Sequence, residues 1–239
     1  MSAVAPHNRR GIIRDAVGIG LATGAYAISF GAISVAAGLS VWQTQTLSSL
    51  MFTGASQFAM VGVLGAGGGA LAAVAIAALL GTRNALYAVH MNTVLRPRGW
   101  RRFAAAQLTI DESTGMSLGH PEDEASSRLA FWSTGIAIFI LWNLGTLLGA
   151  LGADLLGDPA RFGLDAAIPA AFLALLWPRL DSRLTRIVAA IAAVVALALT
   201  PVLAAGLPVL IAGAVAVGIG VAITRDSPSP SVSPDEEPR

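Results

Sequence analysis

The sequence predicts an all-α, polytopic membrane helix bundle with about six full spans and two broken or re-entrant helices. Three observations carry that prediction. First, of 239 residues 55% are hydrophobic and 12% charged, with a mean hydropathy of +0.70, whereas soluble domains carry roughly 25% charged residues. Second, eight apolar or semi-apolar segments follow one another, at 15–38, 44–64, 68–95, 103–119, 128–151, 163–180, 184–200 and 201–224. Lipid permits only helices or closed barrels, and the period-2 alternation of a barrel is absent. Third, the arginines are clustered between these segments, as flanking charges of membrane helices are.

The arginines also orient the chain. All 15 basic residues are arginine. Clusters fall at Arg9, Arg10 and Arg14, at Arg96, Arg98, Arg101 and Arg102, at Arg179, Arg183 and Arg186, and at Arg225. The positive-inside rule places all four on the cytoplasmic side, while 152–164, with Asp154 and Asp158 against Arg161, belongs outside. Three segments separate the first two clusters and three more separate the second and third. An even number of crossings is required in each interval, so one segment of each trio fails to cross. The poorest spans are 44–64, rich in Thr, Ser and Gln, and 103–119, which carries Asp111 and Glu112. The two trios also hint at an internal repeat.

The elements follow in order. Residues 1–14 are expected as a cytoplasmic N-terminus, and 15–224 as the transmembrane domain. The first apolar stretch is longer than the roughly 7–15 residues of a signal-peptide core, so it reads as an uncleaved span. Asp15 suits the start of that helix. In 44–64 the run "LMFTGASQFAMVGVLG" has Thr53-Gly54-Ala55-Ser56-Gln57 at its centre. A break there is tolerated only where it is buried in protein or lines water. Thr53 or Ser56 is placed to cap the half-helix that follows. "GAGGGA", 65–70, reads as a flexible connector. In 68–95, Arg83, Tyr87 and His90 are spaced four and three apart and share a helix face. An arginine at mid-span costs roughly 2.5–3.5 kcal/mol to insert, which calls for an internal partner. Asp111 and Glu112 in "LTIDESTG" are the natural carboxylates, and as neighbours they repel, so one suits a proton relay. Small residues four apart, Gly20/Gly24, Gly145/Gly149 and Ala214/Gly218, read as helix-packing faces. "RDSPSPSVSPDEEPR", 225–239, reads as a disordered cytoplasmic tail.

Enzyme chemistry finds no motif: the chain has no G-x-S-x-G elbow, no H-E-x-x-H helix and no P-loop. It has no cysteine and three scattered histidines. No cofactor, metal or nucleic-acid partner is expected. An ion-translocating, channel-like subunit is the alternative to a transporter. A membrane enzyme would need Ser56 and His90 brought together.

"FTGASQFA" (52–59), "RNALYAVHM" (83–91) and the acid pair after Thr109 resemble the AzlC-type family, the large subunit of two-component branched-chain amino acid exporters. "LDAAIPAAFLALLWPRL" extends the resemblance into the second half. The pattern differs at Gly81 and Asn84, where many members have Asn and His. His90, on the Arg83 face, is placed to stand in for that histidine. The resemblance implies export of Leu, Ile, Val or Met, driven by protons or membrane potential, with a small hydrophobic AzlD-type subunit as partner. Joined to the residue reading, it implies substrate contacts from Thr53, Gly54, Ser56, Gln57, Arg83, Asn84 and Tyr87. Asp111, Glu112 and His90 are then the proton-coupling residues, in a multi-pass protein of the cell (inner) membrane.

Overall fold

The computed structural model describes residues 6–121, 123–156, 173, 176–177, 180–203 and 206–226. The chain divides into two compact units, Met1–Ala174 and Leu175–Arg239. The first contains α1 (Pro6–Ala36), α2 (Val41–Leu50), α3 (Ala55–Gly65), α4 (Ala70–Leu95), α5 (Arg101–Gln107), α6 (Asp111–Leu118) and α7 (Glu124–Leu156). The second contains α8 (Arg183–Leu199) and α9 (Leu207–Asp226). No strand occurs among the described residues.

Three described helices are long and apolar enough to cross a membrane: Arg9–Ala36, Ala70–Leu95 and Glu124–Ala153. Leu207–Ile223 is a shorter apolar helix, and α8 has 17 residues. Most of the expected span at 163–180, and the tail from 227 on, lie outside the described residues. The first helix begins at Pro6 rather than at 15, because proline suits the first helical turn and the arginines behind it are good helix formers.

Local chemistry sets the ends. Ser40 opens α2 with a reciprocal cap: its hydroxyl accepts from the Gln43 N–H at 3.2 Å, and its own N–H donates to Gln43 Oε1 at 2.8 Å. Arg96 closes α4 in the left-handed region at φ 45°, and Pro97 cannot continue the helix. Asp123 caps α7, accepting from the Ala125 N–H at 3.0 Å and from the Ser126 hydroxyl. These bonds, the Ser126 hydroxyl first, hold the Asp123 carboxyl below its ordinary range.

The frame of the first unit is α1 against α7. Gly20 faces Ala137, Gly24 faces Leu141 and Gly145, and Ile28 faces Gly149. Numbers rise together, so the two helices run parallel. A Cβ on Gly145 would strike the Gly24 carbonyl, and one on Gly149 the Ile28 carbonyl. The small residues four apart therefore serve the close packing expected of them.

The two broken segments leave this frame and return. The α2–α3 pair starts beyond the end of α1, breaks at 51–54, and brings Gly65 back against Ala37, where an ideal Cβ on the glycine would stand 3.1 Å from the Ala37 Cβ. The α5–α6 pair starts beyond the end of α4 and brings Ser117 to Ser127, hydroxyl to hydroxyl at 2.8 Å, at the start of α7. Arg128 Nε donates to the Val94 carbonyl at 2.9 Å, so α4 runs antiparallel to α7. The polar residues of α2 bind α7: Gln45 Nε2 and Ser49 Oγ donate to Asn143 Oδ1 at 3.1 and 2.8 Å, and Ser48 bonds Thr146. Polar side chains thus hold α2 to its neighbour, as interhelical hydrogen bonds do in lipid.

Two outcomes follow. Gly145→Val forces α1 off α7 and lowers stability by about 3 kcal/mol or more, while Gly218→Ala, with open space around it, changes little; thermal unfolding in detergent compares them. Asp123→Ala is less stable than wild type at neutral pH. A depressed carboxyl contributes only while ionised, so this difference closes as the pH falls below about 4.

Candidate functional site

The first break has a residue-level cause. Gly54 sits at φ 62°, ψ −92°, a conformation that side chains rarely adopt. It is the N-cap of α3, which corrects the expectation that Thr53 or Ser56 caps this helix: a glycine supplies the bend, and the cap comes from inside the helix. Gln57 Oε1 accepts from the Gly54 N–H at 3.0 Å, and Gln57 Nε2 donates to the Leu47 carbonyl at 3.2 Å. One fully buried amide therefore joins the end of α2 to the start of α3. Both ends of Gln57 are committed to backbone. Gln107, just before the second break, donates to the Ser49 carbonyl at 2.8 Å and caps α2 from outside.

The second break, 108–110, uses the same device. Ser113 Oγ accepts from the Ile110 N–H at 3.1 Å and donates to the Leu108 carbonyl at 2.6 Å. Asp111 then stands at the first turn of α6, where the positive helix end favours a carboxylate.

Both breaks lie at the middle of the long helices. Phe52 packs edge-on to Phe139 at 5.1 Å, and the Trp142 ring lies 3.9 Å from where a Gly54 Cβ would be. Leu108 packs on Gly135. These α7 residues surround the centre of the span Glu124–Ala153. On α4, Gly81 lies 3.7 Å from Ser56 Oγ, measured from an ideal Cβ, and Arg83 pairs with Asp111 at 2.8 Å. The centre of α4 thus meets the start of α3 and the start of α6. Arg83 has a carboxylate partner of the kind the sequence calls for.

Buried polar atoms gather there without hydrogen-bond partners: Thr53 Oγ1, Ser56 Oγ, Arg83 Nε, Asn84 Oδ1, the Tyr26 hydroxyl and Trp142 Nε1. Buried polar groups are nearly always bonded, so these atoms call for a partner outside the chain's own hydrogen bonds, a water or a ligand. Tyr26 lies 5.0 Å from Phe58 and 6.1 Å from Trp142, ring to ring, and Tyr26 and Trp142 pack around Phe58 in the first turn of α3.

The structure brings together Thr53, Gly54, Ser56, Arg83, Asn84 and Asp111. Tyr87 and Glu112 are half-buried beside them, one turn along α4 and one residue along α6. His90 is exposed two turns from Arg83, outside this convergence. Sequence reasoning missed Tyr26, Trp142 and Gln107. One signal for Tyr26 was available: it is one of two tyrosines and sits in the middle of an apolar span.

The ion pair has a measurable signature. Arg83→Gln and Asp111→Asn each leave a charge in a site only about a quarter exposed, while the double variant leaves none. A double-mutant cycle on unfolding in detergent is expected to give a coupling of roughly 1–3 kcal/mol.

Comparison with known proteins adds an independent finding. A family model described as AzlC protein matches residues 18–156. No curated protein and no solved structure matches the chain. The matched stretch runs from within α1 to the end of α7 and includes both breaks, Arg83 and Asp111. It covers more than half of the sequence, and the chain belongs to the AzlC family.

Proposed function

We propose that the chain is the large subunit of a secondary transporter that exports the branched-chain amino acids Leu, Ile and Val, and Met besides, with a small AzlD-type membrane subunit. It works in the cell (inner) membrane with both termini cytoplasmic. AzlC membership favours membrane transport of branched-chain amino acids. The single observation that carries the residue-level reading is the convergence of two half-helix starts on the middle of α4 and α7, beside the Arg83–Asp111 pair. Transporters place their sites where interrupted helices meet at mid-membrane.

In this reading the substrate sits against the start of α3, with Thr53, Ser56, Asn84 and Arg83 around its polar end. The rings of Tyr26, Phe58 and Trp142 meet its apolar end. Gln57 shapes the break rather than touching substrate. A proton on Asp111 releases Arg83, and an ionised Asp111 recaptures it. That exchange couples proton movement to whether Arg83 is free for the substrate carboxylate. Glu112 supplies or accepts the proton from its half-buried position, and His90 lies on the exposed side of the relay.

Proteoliposomes holding the complex with its small subunit test this. Saturable counterflow of labelled leucine is expected, accelerated by a pH gradient. Asp111→Asn is expected to keep exchange and lose the acceleration. A complex that conducts ions with no saturable leucine exchange would instead be the channel-like subunit.

A further inference from the structure

Setting Gly54 against Ile110 lays α2, α3 and α4 over α5, α6 and α7. Each copy is a short helix, a break, a second short helix and a long helix. Thr53 falls on Thr109, and Gln57 falls on Ser113. Those last two side chains do the same work, capping the backbone N–H three residues earlier and reaching back to an upstream carbonyl, Leu47 before the first break and Leu108 at the start of the second. The two copies enter from opposite ends of α7: Gly65 returns to the end of α1, whereas Ser117 returns to the start of α7. This is an inverted repeat, and its two breaks face each other at mid-height.

The copies differ at one telling position. Asp111, the first residue of α6, corresponds to Ala55, the first residue of α3. Both helix starts carry the same positive end. At α6 the chain provides the anion and Arg83 balances it at 2.8 Å. At α3 the corresponding side chain is a methyl group. The surroundings of α3 are nonetheless polar. Ser56 is 1% exposed and its hydroxyl has no partner; Trp142 is 4% exposed and its indole N–H has none.

We infer that the start of α3 is the carboxylate-binding half of a duplicated site whose other half, the start of α6, is filled by the chain's own Asp111. A substrate carboxylate at α3 takes the place that Asp111 takes at α6. Ala55 keeps that place open, and Arg83 stands where either carboxylate can use it. The inference rests on the transport reading above and adds the duplication that assigns the carboxylate to the α3 helix end, and the residue, Ala55, that admits it.

Ala55→Asp tests it, because the variant tethers a carboxylate where the substrate's own would sit. Ala55 is half-buried, as Asp111 is. Binding of labelled leucine is measured on the detergent-purified complex with its small subunit, for wild type, Ala55→Asp and Ala55→Asn. The aspartate variant is expected to lose about tenfold or more in affinity, and the asparagine variant, of equal size and no charge, to stay within about threefold. Equal affinity of the aspartate variant and wild type overturns the inference and leaves the transport reading standing. So does an asparagine variant as weak as the aspartate one, since bulk rather than charge would then decide. Wild type that binds no leucine overturns both. If the aspartate variant fails to assemble, Ser56→Ala decides: an affinity loss of about threefold or more supports the site, and none overturns it.

Discussion

A helix interrupted inside an apolar bundle frees backbone N–H and C=O groups that water cannot reach, and each must find a partner. The Gln57 amide meets that constraint at both ends, binding Gly54 N–H and the Leu47 carbonyl. Everything else in the site depends on it. With the backbone satisfied from within, Thr53 and Ser56 keep their hydroxyls, and Gly54 holds a bend that no other residue accepts readily. Ser113 does the same with one oxygen, as donor and acceptor. The mouth of each half-helix is thereby left open to something other than the protein's own backbone.

The sequence made the breaks legible because two kinds of signal agreed. The arginine clusters require an even number of crossings between them, and 44–64 and 103–119 are the most polar candidates. Both are divided into two short helices that turn back. Arg83 was legible as a mid-span cation in need of a carboxylate, since an unpaired guanidinium there is costly. Less could be read where one residue type serves several ends. Thr44, Ser48, Ser56 and Gln57 look alike in sequence, yet Ser48 bonds α7, Gln57 holds the break, and the Thr44 and Ser56 hydroxyls have no partner. Those differences depend on which helix lies opposite. The pairing of Tyr26 with Trp142 was hidden for the same reason, since the two rings meet only through the parallel packing of α1 and α7. Helix spacing puts His90 on the Arg83 side of α4, yet Arg83 and Tyr87 are half-buried whereas His90 is exposed.

The two halves of the repeat are unequal in their packing. The α2 helix is bound to α7 through Asn143 and Thr146. Its counterpart α5 faces α4 across a groove of about 590 Å³ lined by Met91, Asn92, Arg102 and Thr109. A groove of comparable size, about 560 Å³, flanks α2 as well, lined by Trp42, Leu47, Leu50 and Met60.

The shared direction of α1 and α7 has a topographic corollary. With an antiparallel α4 joining them, the beginning of α1 and the beginning of α7 emerge from one face of the sheet of lipid, whatever compartment that face borders. A soluble protease or antibody confined to a single compartment therefore reaches both the arginine-rich head of the polypeptide and the turn at Pro121, or neither.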